Sequence, residues 1–149
     1  MFSKRTLIGG LVAFLVLFIG NWLLWGLVFN STWERMSSAP MAADPDMLWL
    51  ILGYAVLGWV FAYVYPLGFE GRGAVGEGAR FGIVMWAVAS LGMGLMMQAF
   101  QPDSLTAFFF GQFLNLIVYL LMGVALAMVM ERHMEPGPPH RQPEGPTGI

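Results

Sequence analysis

Tyr65-Pro66-Leu67-Gly68-Phe69-Glu70-Gly71-Arg72-Gly73-Ala74-Val75-Gly76-Glu77-Gly78-Ala79-Arg80-Phe81-Gly82 decides how this chain is read. It is the densest glycine cluster in the sequence and the only charged segment between the two central apolar runs. Apolar segments long enough to cross a bilayer flank it on both sides, since a crossing needs about 20 such residues. The stretch therefore divides the protein into two helical hairpins.

Composition points the same way. Of 149 residues, 58% are hydrophobic and 11% charged, with a mean hydropathy of +0.68. A soluble domain carries roughly 25% charge, so too few charges are present to cover a globular surface, and lipid must solvate much of the chain. Cysteine is absent, which excludes disulfides, thiolate metal sites and cysteine nucleophiles. A net charge of −2 gives no case for nucleic-acid binding. Twelve Met and twelve Phe suit a lipid-facing surface rather than a cofactor box, and neither a cofactor nor a metal is expected.

Working outward, the pattern predicts an all-α integral membrane four-helix bundle, with spans at about 7–29, 47–65, 80–98 and 105–130, and a Pro/Gly-rich tail at 131–149. The first run comes after Lys4 and Arg5, the order of a signal peptide. Its apolar core exceeds the roughly 7–15 residues of a signal peptide, and no good cleavage site lies close behind it, so a retained span is predicted. Asn30-Ser31-Thr32 is formally a glycosylation acceptor but lies too close to the membrane to be one. Asp44-Pro45-Asp46 reads as a helix start, and Asp103 or Ser104 as the cap of the fourth helix. Five prolines and three glycines leave the tail nothing to bury.

Lys and Arg mark the cytoplasmic side of short loops. Lys4, Arg5, Arg72, Arg80, Arg132 and Arg141 fall on one side and Arg35 alone on the other, so both termini and the glycine-rich stretch are predicted to be cytoplasmic. Trp25, Trp33 and Trp49 then mark the outer interface, and Tyr63 and Tyr65 the inner one.

Counted strictly, with the third span taken from Phe81 to Gln98, the four predicted spans hold no Asp, Glu, Lys, Arg or His. Proton relays, ion-coupled transporters and voltage sensors place ionisable groups within the membrane, and intramembrane hydrolases need a base or metal beside the nucleophile. Ser90 has neither in its own span, so the chain is expected not to be an enzyme. What the spans do carry is amides. Gln112, Asn115 and Tyr119 share one helical face through their i, i+3, i+7 spacing. At about 1.5 Å per residue, Asn21 and Tyr54 reach the same depth. An amide against lipid tails is costly, so Asn21 is expected within hydrogen-bond reach of Gln112 or Asn115. Such a layer sets helix register or floors a polar pocket opening outward.

Small residues mark close helix approach: Gly58 with Ala62, Gly78 with Gly82, and Gly123 with Ala127. Gly71, Gly73 and Gly76 spell G-x-G-x-x-G, but the dinucleotide fingerprint needs a preceding strand, and here membrane helices lie on both sides. Glycine's backbone freedom makes the stretch a turn instead, with Glu77 at a helix start and Arg72 and Arg80 towards anionic headgroups. A moving cytoplasmic gate is the other reading of the same loop.

Gly20-Asn21-Trp22 through Trp33, Tyr65-Pro66-Leu67-Gly68 and Glu77-Gly78-Ala79-Arg80-Phe81-Gly82 give the chain a layout that resembles small four-helix bacterial membrane proteins of unknown function. The resemblance covers spans one to three. It implies the topology and a bacterial inner membrane, and it brings no catalytic residues. The expected function is a non-catalytic accessory or structural subunit of a larger membrane complex. The alternative is a small homo-oligomeric pore or transporter lined by the amides. The partners expected are the lipid bilayer and other subunits or copies of the chain, with residues 140–149 contacting a neighbour.

Overall fold

The computed structural model describes residues 3–37, 46–71, 73–100 and 102–132. Arg72, the Asp44-Pro45 part of the expected helix start and the tail contact expected at 140–149 lie outside the described residues. Among the described residues the protein is all-helical and contains no strand. Four helices are long and apolar enough to cross a membrane: Lys4–Val28, Met47–Gly68, Ala74–Phe100 and Leu105–Glu131. Backbone polar groups find no water in hydrocarbon, so apolar runs of this length become helices.

Side-chain caps start three of the four. Ser3 accepts from the Thr6 N–H at 3.2 Å, Asp46 from Leu48 at 3.0 Å, and Ser104 from Ala107 at 3.1 Å. The first span is α1 (Lys4–Asn21) continued by a π-helical stretch, Trp22–Val28. A short helix, α2 (Asn30–Met36), stands where a polar connection was expected. The second span is α3 (Met47–Val64), extended by a 3₁₀ turn at Tyr65–Gly68 that accommodates Pro66 at its start. The third is α4 (Ala74–Trp86), a second π-helical stretch (Ala87–Gly92) and α5 (Met93–Phe100). The fourth, α6 (Leu105–Glu131), is unbroken.

The third span corrects the sequence reading. It begins at Ala74, several residues before the predicted start. Glycine-rich helix starts read as loops because glycine costs about 1 kcal/mol per helical position. Here Gly78 and Gly82 offset that cost by lying directly on α6. The longer helix also brings Glu77 and Arg80 into the span. Glu77 is buried (3% exposed) and accepts the Glu70 N–H at 3.1 Å, while Arg80 pairs with Glu70. The helix that carries the third span thus includes two ionisable groups that the predicted span left out.

The small-residue pairs are all used inside the chain. Gly58 faces the α1 backbone, where an added Cβ would stand 2.6 Å from Phe14 N and 2.7 Å from Gly10 O. Gly78 and Gly82 face Gly123 and its neighbours on α6. Ala62 and Ala127 are fully buried beside them. Span one thus packs on spans two and four, and span three packs on span four, whereas spans two and three do not run along one another.

The buried core fills one half of the molecule, around Leu17, Phe61, Tyr65, Tyr119, Met122 and Leu126. Phe81 stands edge-on to both Phe61 (6.2 Å) and Tyr65 (5.2 Å), closing this end between spans two and three. Tyr65 also donates to Glu131 at 3.1 Å. We call this the tyrosine end. The opposite, tryptophan end carries Trp33, Met47 and Asp103.

Two glycines of the G-x-G-x-x-G string make the turn, Gly71 (φ 77°) and Gly73 (φ 94°); Gly76 is helical. Gly73→Ala is expected to cost about 1–3 kcal/mol from backbone strain alone. Gly76→Ala, with no atom within 4 Å of the added methyl, is expected to gain about 0.5–1 kcal/mol. Denaturant titration in micelles measures both, and equal effects at the two sites would overturn this assignment of roles.

Candidate functional site

Because the core occupies one half and spans two and three stay apart, the tryptophan half holds a cavity of about 780 Å³. All four spans contribute to it. Its depth from Leu105 to Asn115 is about 15 Å, at 1.5 Å per residue of α6.

The floor is a polar network centred on Ser90. The Ser90 hydroxyl donates to Gln112 Oε1 at 2.9 Å and accepts from Asn115 Nδ2 at 3.0 Å. Asn115 Oδ1 accepts the Trp25 indole N–H at 3.2 Å, and the Gln112 backbone carbonyl accepts that of Trp86 at 3.0 Å. Three spans are joined in this way at one level. Asn21 is at the same level and lines the cavity, but its Nδ2 donates to the Leu17 carbonyl of its own helix at 2.8 Å. The sequence predicts a contact from Asn21 to Gln112 or Asn115, direct or through one water; no direct bond is made, because the amide donates to a carbonyl one turn back on its own helix. Tyr54 lines the second-span wall, its ring edge-on to Phe18 at 6.1 Å. Tyr119 lies below the floor in the core.

The walls are aromatic. Trp25 and Trp33 meet at right angles, centroids 4.9 Å apart and planes at 89°. Gly111 makes room for the pair: a Cβ there would stand 3.0 Å from Trp25 and 3.1 Å from Trp33. Trp33 Nε1 is buried behind this wall and has no hydrogen-bond partner. At the mouth stand Glu34 and Asp103. Asp103 is fixed by Ser37, whose hydroxyl donates to it at 2.6 Å, and by the Ser104 N–H at 2.7 Å.

Both π-helical stretches border this cavity. The first supplies Trp22, Trp25 and Gly26 to its lining, and the second holds Ser90 behind the lining amides Gln112 and Asn115. At the end of the first, the Phe29 N–H reaches back five residues to the Leu24 carbonyl at 2.8 Å. π-Helix is rare and is frequently found at functional sites, where the wider turn re-aims side chains that a regular helix would carry elsewhere.

The glycine-rich loop, by contrast, joins no part of this site. Gly71, Gly73 and Gly76 have nothing within 4 Å of an added Cβ, and Glu77 and Arg80 serve the tyrosine end. Sequence reasoning found the amides but missed Ser90 as their centre, Trp25 and Trp86 as their donors, and Glu34 and Asp103 as the rim. Among the described residues no cluster of His, Asp or Glu suits a metal. No family model, curated protein or solved structure matches the chain.

Proposed function

We propose that this is a non-catalytic integral membrane protein, an accessory subunit whose contribution to a larger membrane complex is a ligand-binding cleft. The cavity at the tryptophan end is the observation that carries the reading. It is large enough for a small organic molecule, mostly apolar, and floored by a few convergent polar groups, the usual make-up of a small-molecule site. The amides bond within one chain and face an internal cleft, which favours a binding site over an oligomeric lumen. The closed aromatic core at the tyrosine end favours a blind cleft over a pore. In this reading the spans form two antiparallel hairpins, and the bias of Lys and Arg towards the termini puts those on the cytoplasmic face of a bacterial inner membrane. The cleft then opens outward.

N-phenyl-1-naphthylamine, a neutral apolar fluorophore, tests the cleft. It is expected to bind the purified protein in maltoside micelles and to quench tryptophan emission by energy transfer. Gly111→Leu, which drives a side chain into Trp25 and Trp33, is expected to weaken binding at least tenfold. Equal binding by the variant would defeat the reading. In liposomes the protein alone is expected to pass no solute, and robust flux would favour the pore.

A further inference from the structure

We infer that the cleft is selective for organic cations that carry an apolar body; this rests on the cleft reading above. The sign comes from the lining. Glu34 and Asp103 are its charged members, and among the described residues no Lys, Arg or His lines it. Arg35, next to Glu34 in sequence, is outside the lining. Among the described residues of the connections at this end, Glu34, Asp46 and Asp103 stand against Arg35 alone. A cleft with one sign of charge and low-dielectric walls concentrates counter-ions. Among the described lining residues an anion would find no cation to pair with.

The aromatic walls point to the same class. A cation is attracted to the face of an aromatic ring, most strongly to tryptophan, and aromatic cages are the established way to hold quaternary ammonium groups. Trp25 and Trp33, perpendicular at 4.9 Å, form one corner of such a cage. Trp22, Phe18, Tyr54 and Phe108 supply further ring surface around the same cavity. Below them the amide oxygens of Gln112 and Asn115, each engaged in one hydrogen bond, keep a second lone pair that suits a positive group. Trp33 Nε1, the unpartnered donor, is neutral and leaves the sign unchanged. The apolar share of the cleft requires a ligand with a hydrophobic body, since a small hydrated ion would have to shed water without replacement ligands.

The structure supplies two carboxylates but not the origin of the cation, so a soluble amphiphilic cation and a choline-type lipid headgroup share the chemistry. Tetraphenylphosphonium and tetraphenylborate, near-isosteres of opposite charge, separate sign from shape. Equilibrium dialysis in maltoside micelles, corrected with protein-free micelles, is expected to show the cation binding at least tenfold more tightly than the anion at low salt. Glu34→Gln is expected to weaken the cation three- to tenfold, and by at least threefold more than it weakens N-phenyl-1-naphthylamine. Asp103→Asn should do the same if its thermal unfolding matches the wild type, and Glu34→Gln decides alone if it does not. Equal affinity for the two ions, or no effect of Glu34→Gln on the cation, would overturn cation selectivity while leaving the cleft reading intact. Binding of none of the three probes would remove the cleft itself. Displacement of the phosphonium by dihexanoylphosphatidylcholine, but not by dihexanoylphosphatidylglycerol, would assign the site to the lipid headgroup. No displacement by either would assign it to a soluble cation.

Discussion

Gly123→Ala is expected to push spans three and four apart and to lower the denaturant midpoint in mild detergent more than any other single substitution considered for this chain. The added methyl would collide with the Gly78 carbonyl oxygen and stand 2.8 Å from Gly82 N and 3.0 Å from Gly82 Cα. From the other side, a methyl on Gly78 would meet Val124 Cα at 2.5 Å and Gly123 O at 2.6 Å. Every obstructing atom is backbone, so no rotamer change relieves the clash and the helices must move apart. Overpacking costs typically about 1–3 kcal/mol, occasionally more, and this site belongs at the upper end. That is a large share of a stability of about 5–15 kcal/mol. It would also open the bonds from Ser90 and Trp86 to span four. Gly53→Ala, a helical position with nothing within 4 Å of the methyl, is the control and should be neutral or stabilising by up to about 1 kcal/mol. The Gly78→Ala/Gly123→Ala pair should be less than additive, because both methyls break one shared contact. Unfolding of Gly123→Ala at the wild-type denaturant midpoint would refute this account of the interface.

Ser90→Ala is expected to weaken both the fold and the cleft, because a single hydroxyl serves two amides. Its loss leaves Gln112 Oε1 and Asn115 Nδ2 without the partner each has at about 3 Å. Interhelical hydrogen bonds in membranes are worth about 0.6 kcal/mol on average and about 1.7 at most. Two lost together should cost about 1–2 kcal/mol, with a roughly tenfold drop in cleft affinity if the floor loosens by 1.4 kcal/mol. Ser90→Thr keeps the hydroxyl and should recover most of the binding. A double-mutant cycle between Ser90→Ala and Asn115→Ala is the sharper measurement. Coupling indistinguishable from zero would mean that the network holds nothing together.

The four spans were legible because hydrocarbon imposes one rule on every residue of a crossing, so composition alone is enough. The start of the third was not. Gly76, Glu77, Gly78 and Arg80 carry the local signature of a loop, and only the close approach of α6 makes a helix favourable there. At the cleft, Gln112 and Asn115 were legible because an amide in an apolar run demands a partner. Ser90 was silent, since a lone hydroxyl in a helix commonly bonds its own backbone, and that is what the Asn21 amide does here. The π-helical stretches were silent too: Trp22–Val28 and Ala87–Gly92 are apolar on all sides, and a change of helical pitch leaves no periodic trace in such runs. The rim acids sit in segments whose spatial convergence no spacing rule conveys.

Those two stretches also bear on how such a chain changes over generations. A π-helical ring closes over one residue more than an α-helical ring, so each stretch is a place where the chain can lose a codon and remain a helix. A one-residue deletion within Trp22–Val28 would turn α2, with Trp33 and Glu34, by about 100°. One within Ala87–Gly92 would swing Met93–Phe100. The core of Leu17, Phe61, Tyr119 and Met122 lies beyond both hinges and would keep its register. A lineage carrying this architecture can therefore re-aim the mouth of its cavity through changes of length, in single steps that no substitution reproduces.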